Sequence, residues 1–189
     1  MNASVSIQIH LPGWVRDFAA KLPEALDSPE ERMRVAISLS EQNVAHDTGG
    51  PFGALVVASD SGRVLALGVN RVEAGNCSAA HAEIVALSLA QQRLGVPNLA
   101  DVRLGPMELV SSCEPCAMCL GAVPWSGVRS LLCGATKADA ESAGFDEGDR
   151  SDHWVEQLER RGIRVHTEIL RPAAAQVISR YARSGKTIY

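Results

Sequence analysis

Cys113-Glu114-Pro115-Cys116-Ala117-Met118-Cys119, taken together with His81-Ala82-Glu83 upstream, is the stretch on which the chain turns. Two cysteines separated by two residues can give two thiolates to one metal ion, and a histidine can give a third ligand. Three protein ligands leave one tetrahedral corner free for water, the arrangement of a catalytic zinc rather than a structural one. Glu83, two residues beyond His81, is a proton carrier beside that corner. At i and i+3, Cys116 and Cys119 share one helix face, so both sulfurs can reach the same ion. Helices opening near Pro115 and near His81 would turn two positive ends toward the site, which favours thiolates. Two other readings fit the cysteines alone. Cys113 could close a structural Cys3His site, or the cysteines could be small core hydrophobes.

Working outward, Met107–Ser111 reads as a strand leading into the motif, and Val128–Cys133 as a strand after it. Upstream, Ser78 can cap a helix from Ala79 to about Arg93, with Gly95 as its stop. Gly53–Ala58 and Val64–Asn70, joined by Asp60-Ser61-Gly62, form a hairpin. Before it, Ser28-Pro29-Glu30-Glu31 has a cap, a first-position proline and a capping-box glutamate, so a helix runs from there to about His46. Downstream come a helix from Asp152 to about Arg161, a short strand Ile163–His166, and a last helix from Pro172 to Arg183. Helices and strands in alternation predict a three-layer α/β domain with a sheet between helices. Residues 28–189 are expected to form that domain. Residues 1–27 are an extension in which Val5–Ile9 alternates like a strand, and Trp14 and Phe18 dock a short helix onto the body.

With 18 Lys/Arg against 22 Asp/Glu, the net charge is −4, which argues against a protein built to hold polyphosphate chains. The charge is uneven: residues 1–149 carry −8 and residues 150–189 carry +4. Nucleic acid is therefore not the expected partner, with only the basic C-terminal part in its favour. Five cysteines, an odd number with no paired spacing, suit a reducing cytoplasm rather than a disulfide framework. The first residues lack the charged and apolar regions of a signal peptide, and no run approaches membrane-span length.

At these residues the chain resembles the cytidine deaminase superfamily, whose H-x-E and P-C-x-x-C motifs are matched by His81-Ala82-Glu83 and Pro115-Cys116-Ala117-Met118-Cys119. The P-C-x-M-C form is similar to the branch of guanine deaminases and tRNA adenosine deaminases. Pro51-Phe52-Gly53-Ala54, Cys119-Leu120-Gly121-Ala122 with Trp125, Ala143-Gly144-Phe145-Asp146-Glu147, and the terminal Tyr189 resemble the guanine branch. The resemblance implies an α/β/α cytidine deaminase-like fold with a central mixed sheet. It also implies one Zn²⁺ per chain with a bound catalytic water, usually in a homodimer that hydrolyses guanine to xanthine and ammonia. His81, Cys116 and Cys119 would hold the metal, and Glu83 would move protons to the ring and to the departing amine. Asn70 would hydrogen-bond the purine, Phe52 and Trp125 would enclose it, and Ala82 falls within the substrate-contacting set. Glu147 would take part in recognition and proton transfer, and the Tyr189 segment would close over the site. Where the family often has Asp, this chain has Glu147, one methylene longer, and Pro124 would disturb the helix before Trp125. Deamination of other small amino-heterocycles such as amino-triazines, or of adenosine in tRNA, are alternatives in the same class. A non-catalytic zinc-stabilised binding module is the alternative outside it.

Overall fold

Four short apolar runs line up as a sheet because each has two faces to bury and a helix available for each face, and a short polar run closes one edge. The structure, a computed structural model, describes residues 6–188. The strands are β1 (Gly53–Ala58), β2 (Val64–Val69), β3 (Met107–Cys113), β4 (Ser130–Ala135) and β5 (Arg164–His166), in the order β2-β1-β3-β4-β5. β1 runs antiparallel to both β2 and β3, whereas β3, β4 and β5 are parallel, so the sheet is mixed as expected.

Alternate residues of a strand point to opposite faces. Leu55, Val57, Leu67, Val69, Val110 and Leu132 face one layer, formed by α2 (Pro29–Ala45), α6 (Lys137–Ser142) and α8 (Arg171–Ala182). Their neighbours Ala54, Val56, Leu109, Leu131 and Cys133 face the other layer, formed by α4 (Ala82–Leu94), α5 (Ala117–Ser126) and α7 (Trp154–Glu159). The result is the α/β/α sandwich that the alternation predicts. Among the described residues, no helix is long and apolar enough to cross a membrane.

The first helix, α1 (Trp14–Ala19), inserts Val15 into the α2 side of the core, with Trp14 and Phe18 packed against it. Residues 6–9 of the expected N-terminal strand form no strand, and Val5 lies outside the described residues. A strand is held by a ladder to a neighbour, and no ladder reaches this segment among the described residues.

Helix starts fall close to their predicted places, for local reasons. Ser28 accepts from Glu31 N while the Glu31 carboxylate takes Ser28 N, the capping box expected for α2. The helix placed from Ala79 begins instead at Ala82, because His81 is extended (φ −68°, ψ 155°) and accepts from Val85 N at 2.9 Å. His81 is thus the cap of α4 rather than a residue of its first turn. A short α3 (Val72–Gly75), not expected from the sequence, ends at Asn76, whose φ of +46° asparagine tolerates.

Candidate active site and metal centre

Two helix N-termini meet at one point. His81 caps α4, Cys116 caps α5, and Cys119 lies one helical turn further. Among the described residues these three form a group whose donor atoms all lie within 4.8 Å of one another. His81 Nδ1 and Cys116 Sγ are 3.6 Å apart. A nitrogen ~2.0 Å and a sulfur ~2.3 Å from one tetrahedral ion would be separated by about 3.5 Å, so the spacing fits zinc. The nitrogen and sulfur donor set fits it too. Cys113 does not join the group: its Sγ points to Thr136 O at 3.6 Å, and burial pushes its thiol well up. The chain therefore offers three ligands, with one position open.

The electrostatics ask for a cation. A hydrogen bond from Cys119, aided by one from His81, lowers the Cys116 thiol to about 4, while the same partnership with Cys116 raises Cys119. Burial would lower the His81 imidazole, but the hydrogen bond to Cys116 and the nearby Glu83 charge outweigh it and raise it. Glu83, in the first turn of α4 and 6% exposed, is raised by burial, with His81 pulling it back. Glu147, 7% exposed, is pushed to about 8, first by burial and then by the charges of Cys116 and Glu83. Thiols and carboxylates thus crowd around one imidazole, and a divalent metal supplies the missing positive charge. We note that a bound ion would itself invert these shifts.

Beside the metal group lies a small cavity of about 20 Å³, room for about one water molecule. His81, Glu83 and Cys116 line it together with the polar side chains of Asn70 and Glu147 and the rings of Phe52 and Phe145. The two phenyl rings meet edge to face at 4.9 Å. Glu147 sits on a loop tied down at several points. Its carbonyl accepts from Ala117 N at 2.9 Å, and Gly148 O accepts from Lys137 Nζ at 3.0 Å. Arg150 donates to Glu114 Oε2 at 2.7 Å and to Pro115 O at 3.0 Å, and lies over the Trp154 ring. The loop carrying Glu147 is thereby clipped to the strand end carrying the metal motif. Gly148 turns at φ +67°, with Ala117 Cβ only 3.1 Å from where a side chain would begin.

Of the residues singled out from sequence, His81, Glu83, Cys116, Asn70, Phe52 and Glu147 line this cavity, and Cys119 completes the metal group behind it. Trp125 does not reach it: this residue is 84% exposed on the outer face of α5. Ala82 is fully buried in the sheet-facing core and does not line the cavity. Tyr189 lies outside the described residues. Phe145, Glu114 and Arg150 are residues the sequence reasoning missed. Phe145 stood inside a quoted motif and Glu114 inside the opening stretch, but nothing along the chain signals the Glu114–Arg150 pairing.

The chain belongs to the family described as the cytidine and deoxycytidylate deaminase zinc-binding region, whose model matches residues 26–135. It is accordingly a zinc-dependent deaminase. Its fold is similar to that of the solved guanine deaminase from Nitrosomonas europaea, 48% identical, covering 97% of this chain and 100% of that one, with a TM-score of 0.90. A structure solved in complex with 2,6-diaminopurine is 49% identical, covering 97% of this chain and 96% of that one, with a TM-score of 0.91. Guanine deaminase from Bacillus subtilis is 39% identical over 118 residues, which are 62% of this chain and 71% of that relative.

Proposed function

We propose that the chain hydrolyses guanine to xanthine and ammonia. The observation that carries this reading is the buried carboxylate of Glu147 in the same cavity as Glu83 and the metal ligands. Guanine presents N–H donors along its Watson–Crick edge, and a carboxylate sheltered from water is a fitting acceptor for them. The whole-chain likeness to a guanine deaminase supports the same substrate.

His81, Cys116 and Cys119 would hold the zinc, which when bound lowers the pKa of water and makes it a nucleophile at neutral pH. Glu83 would take a proton from the attacking water and give it to a ring nitrogen, then take the second proton from the hydroxyl of the tetrahedral adduct and give it to the departing amine. One carboxylate serves both transfers because each delivery returns it to the charged form that can take the next proton. Asn70 holds the purine by its amide, and Phe52 and Phe145 flank the ring. Residues 28–189 act as the deaminase unit, with the described part of the extension, residues 6–27, packed on it. The protein acts as a homodimer: α5 carries no charged residue, and Trp125 and Met118 stand exposed on its outer face, a surface suited to a second copy. Five cysteines without disulfides suit the cytoplasm.

The test is ammonia release from a panel of guanine, adenine, cytosine, nucleosides, amino-triazines and tRNA. Guanine is expected to be the preferred substrate, with xanthine as product. No ammonia from guanine would sink this reading, and faster turnover of a triazine or of tRNA would put one of the alternatives in its place.

A further inference from the structure

Asn70 must present a fixed end of its amide to the cavity, because a flipped amide offers an acceptor where a donor stood. Its Oδ1 accepts from Val72 N at 3.2 Å, which leaves Nδ2 as the free end. Its main chain is held on both sides. Asn70 N donates to Phe52 O at 3.1 Å, and Asn70 O accepts from Asn43 Nδ2 at 2.9 Å.

Asn43 is fully buried on α2 and uses its amide completely. The second Nδ2 bond goes to Gly50 O at 2.9 Å, and Oδ1 accepts from Thr48 Oγ1 at 2.8 Å. Thr48 Oγ1 accepts in turn from Trp14 Nε1 at 3.0 Å. The Trp14 ring is stacked on His46 at 5.3 Å. Arg71, the residue after Asn70, donates to His10 O at 3.1 Å and to Thr48 O. Gly49 packs so closely between them that a Cβ there would lie 2.0 Å from Asn70 O. A buried amide is tolerated in a helix interior only where all its hydrogen bonds are made. Here each of them goes to a loop beside Asn70 or to Asn70 itself.

We infer that the N-terminal segment is part of the substrate-reading apparatus, and that Trp14, Thr48 and Asn43 are positioning residues that fix Asn70 through a continuous hydrogen-bond relay. The inference rests on Asn70 being a contact to the base. It assigns a task to the extension, which carries no chemistry of its own.

The test compares Trp14→Phe, which keeps the ring and loses Nε1–H, with Thr48→Val and Thr48→Ser. Trp14→Phe and Thr48→Val are expected to lower kcat/KM for guanine by about tenfold, with most of the change in KM. Thr48→Ser, which keeps the hydroxyl, should recover to within about twofold, with zinc content unchanged across the set and Tm lowered in Thr48→Val, where Asn43 Oδ1 is left unpaired. In an Asn70→Ala background the same substitutions should cost nothing further, since the residue they position is gone. A full additional loss in that background, or an equal loss in Thr48→Ser, would overturn the relay. Wild-type enzyme inactive on guanine would instead count against the substrate reading. The relay would still be read without substrate, by hydrogen exchange at the 70–72 amides. Exchange there should be faster in Thr48→Val than in Thr48→Ser, and equal rates would reject it.

Discussion

Glu83 owes its chemistry to its address. A glutamate on an exposed helix faces water, whereas Glu83 is buried beside His81 and two thiols, and burial raises its pKa while His81 pulls it back. Replacing it with alanine removes the proton carrier but none of the three metal donors. Glu83→Ala is therefore expected to retain zinc, measured by atomic absorption, while turnover falls by roughly two or more orders of magnitude. Unchanged turnover would remove Glu83 from the mechanism. At this scale much was legible. The H-x-E and P-C-x-x-C spacings are local, and a helix start converts such spacing directly into shared direction. Asn43 and Arg150 were not legible, because their partners Asn70 and Glu114 lie 27 and 36 residues away.

Helices here are bounded by capping chemistry, and one such cap also joins two elements. The Thr136 side chain accepts from Asp139 N while Asp139 accepts from Thr136 N, the box that starts α6. The same Asp139 carboxylate takes two hydrogen bonds from Arg171 at the start of α8, at 2.9 and 3.2 Å. The Arg171 hydrogen bond is the main reason its pKa falls from 3.8 to about 2. A folded pKa below the unfolded one means that the unfolded chain binds the proton more readily. The contribution is present in full above about pH 4 and is lost as pH falls toward about 2. Acid titration of stability by circular dichroism should show this loss, and Asp139→Asn should flatten it between those limits. An identical acid profile in the variant would show that the clasp contributes nothing. The box was missed from sequence because Thr136 follows a strand directly, with no turn residue to announce the helix.

The whole molecule leaves an apolar helix face uncovered. α5 carries no charged residue, and Cys119 and Val123 are buried while Met118 and Trp125 stand 40% and 84% exposed. Pro124 within the helix does not turn Trp125 inward. If a second copy covers this face, analytical ultracentrifugation should give a mass near twice the 20.1 kDa of the chain. Trp125→Glu should shift that mass to the monomer, because a charge at the centre of an apolar contact loses its hydration. A wild-type monomer would refute the dimer. The +4 balance of residues 150–189 has a local explanation among the described residues. Arg150, Arg171, Arg180 and Lys186 pair with Glu114, Asp139, Glu41 and Asp47.

The sequence by itself determined the layered α/β class, the metal ligands' register and the reaction chemistry. Hydrophobic period, caps and ligand spacing act over a few residues and can be read along a line. Only the tertiary structure decided which side chains share the cavity. It brought Phe145 in, left Trp125 outside and set Asn43 behind Asn70. Such neighbours are made by strands and loops converging from distant parts of the chain, and no local pattern encodes that convergence.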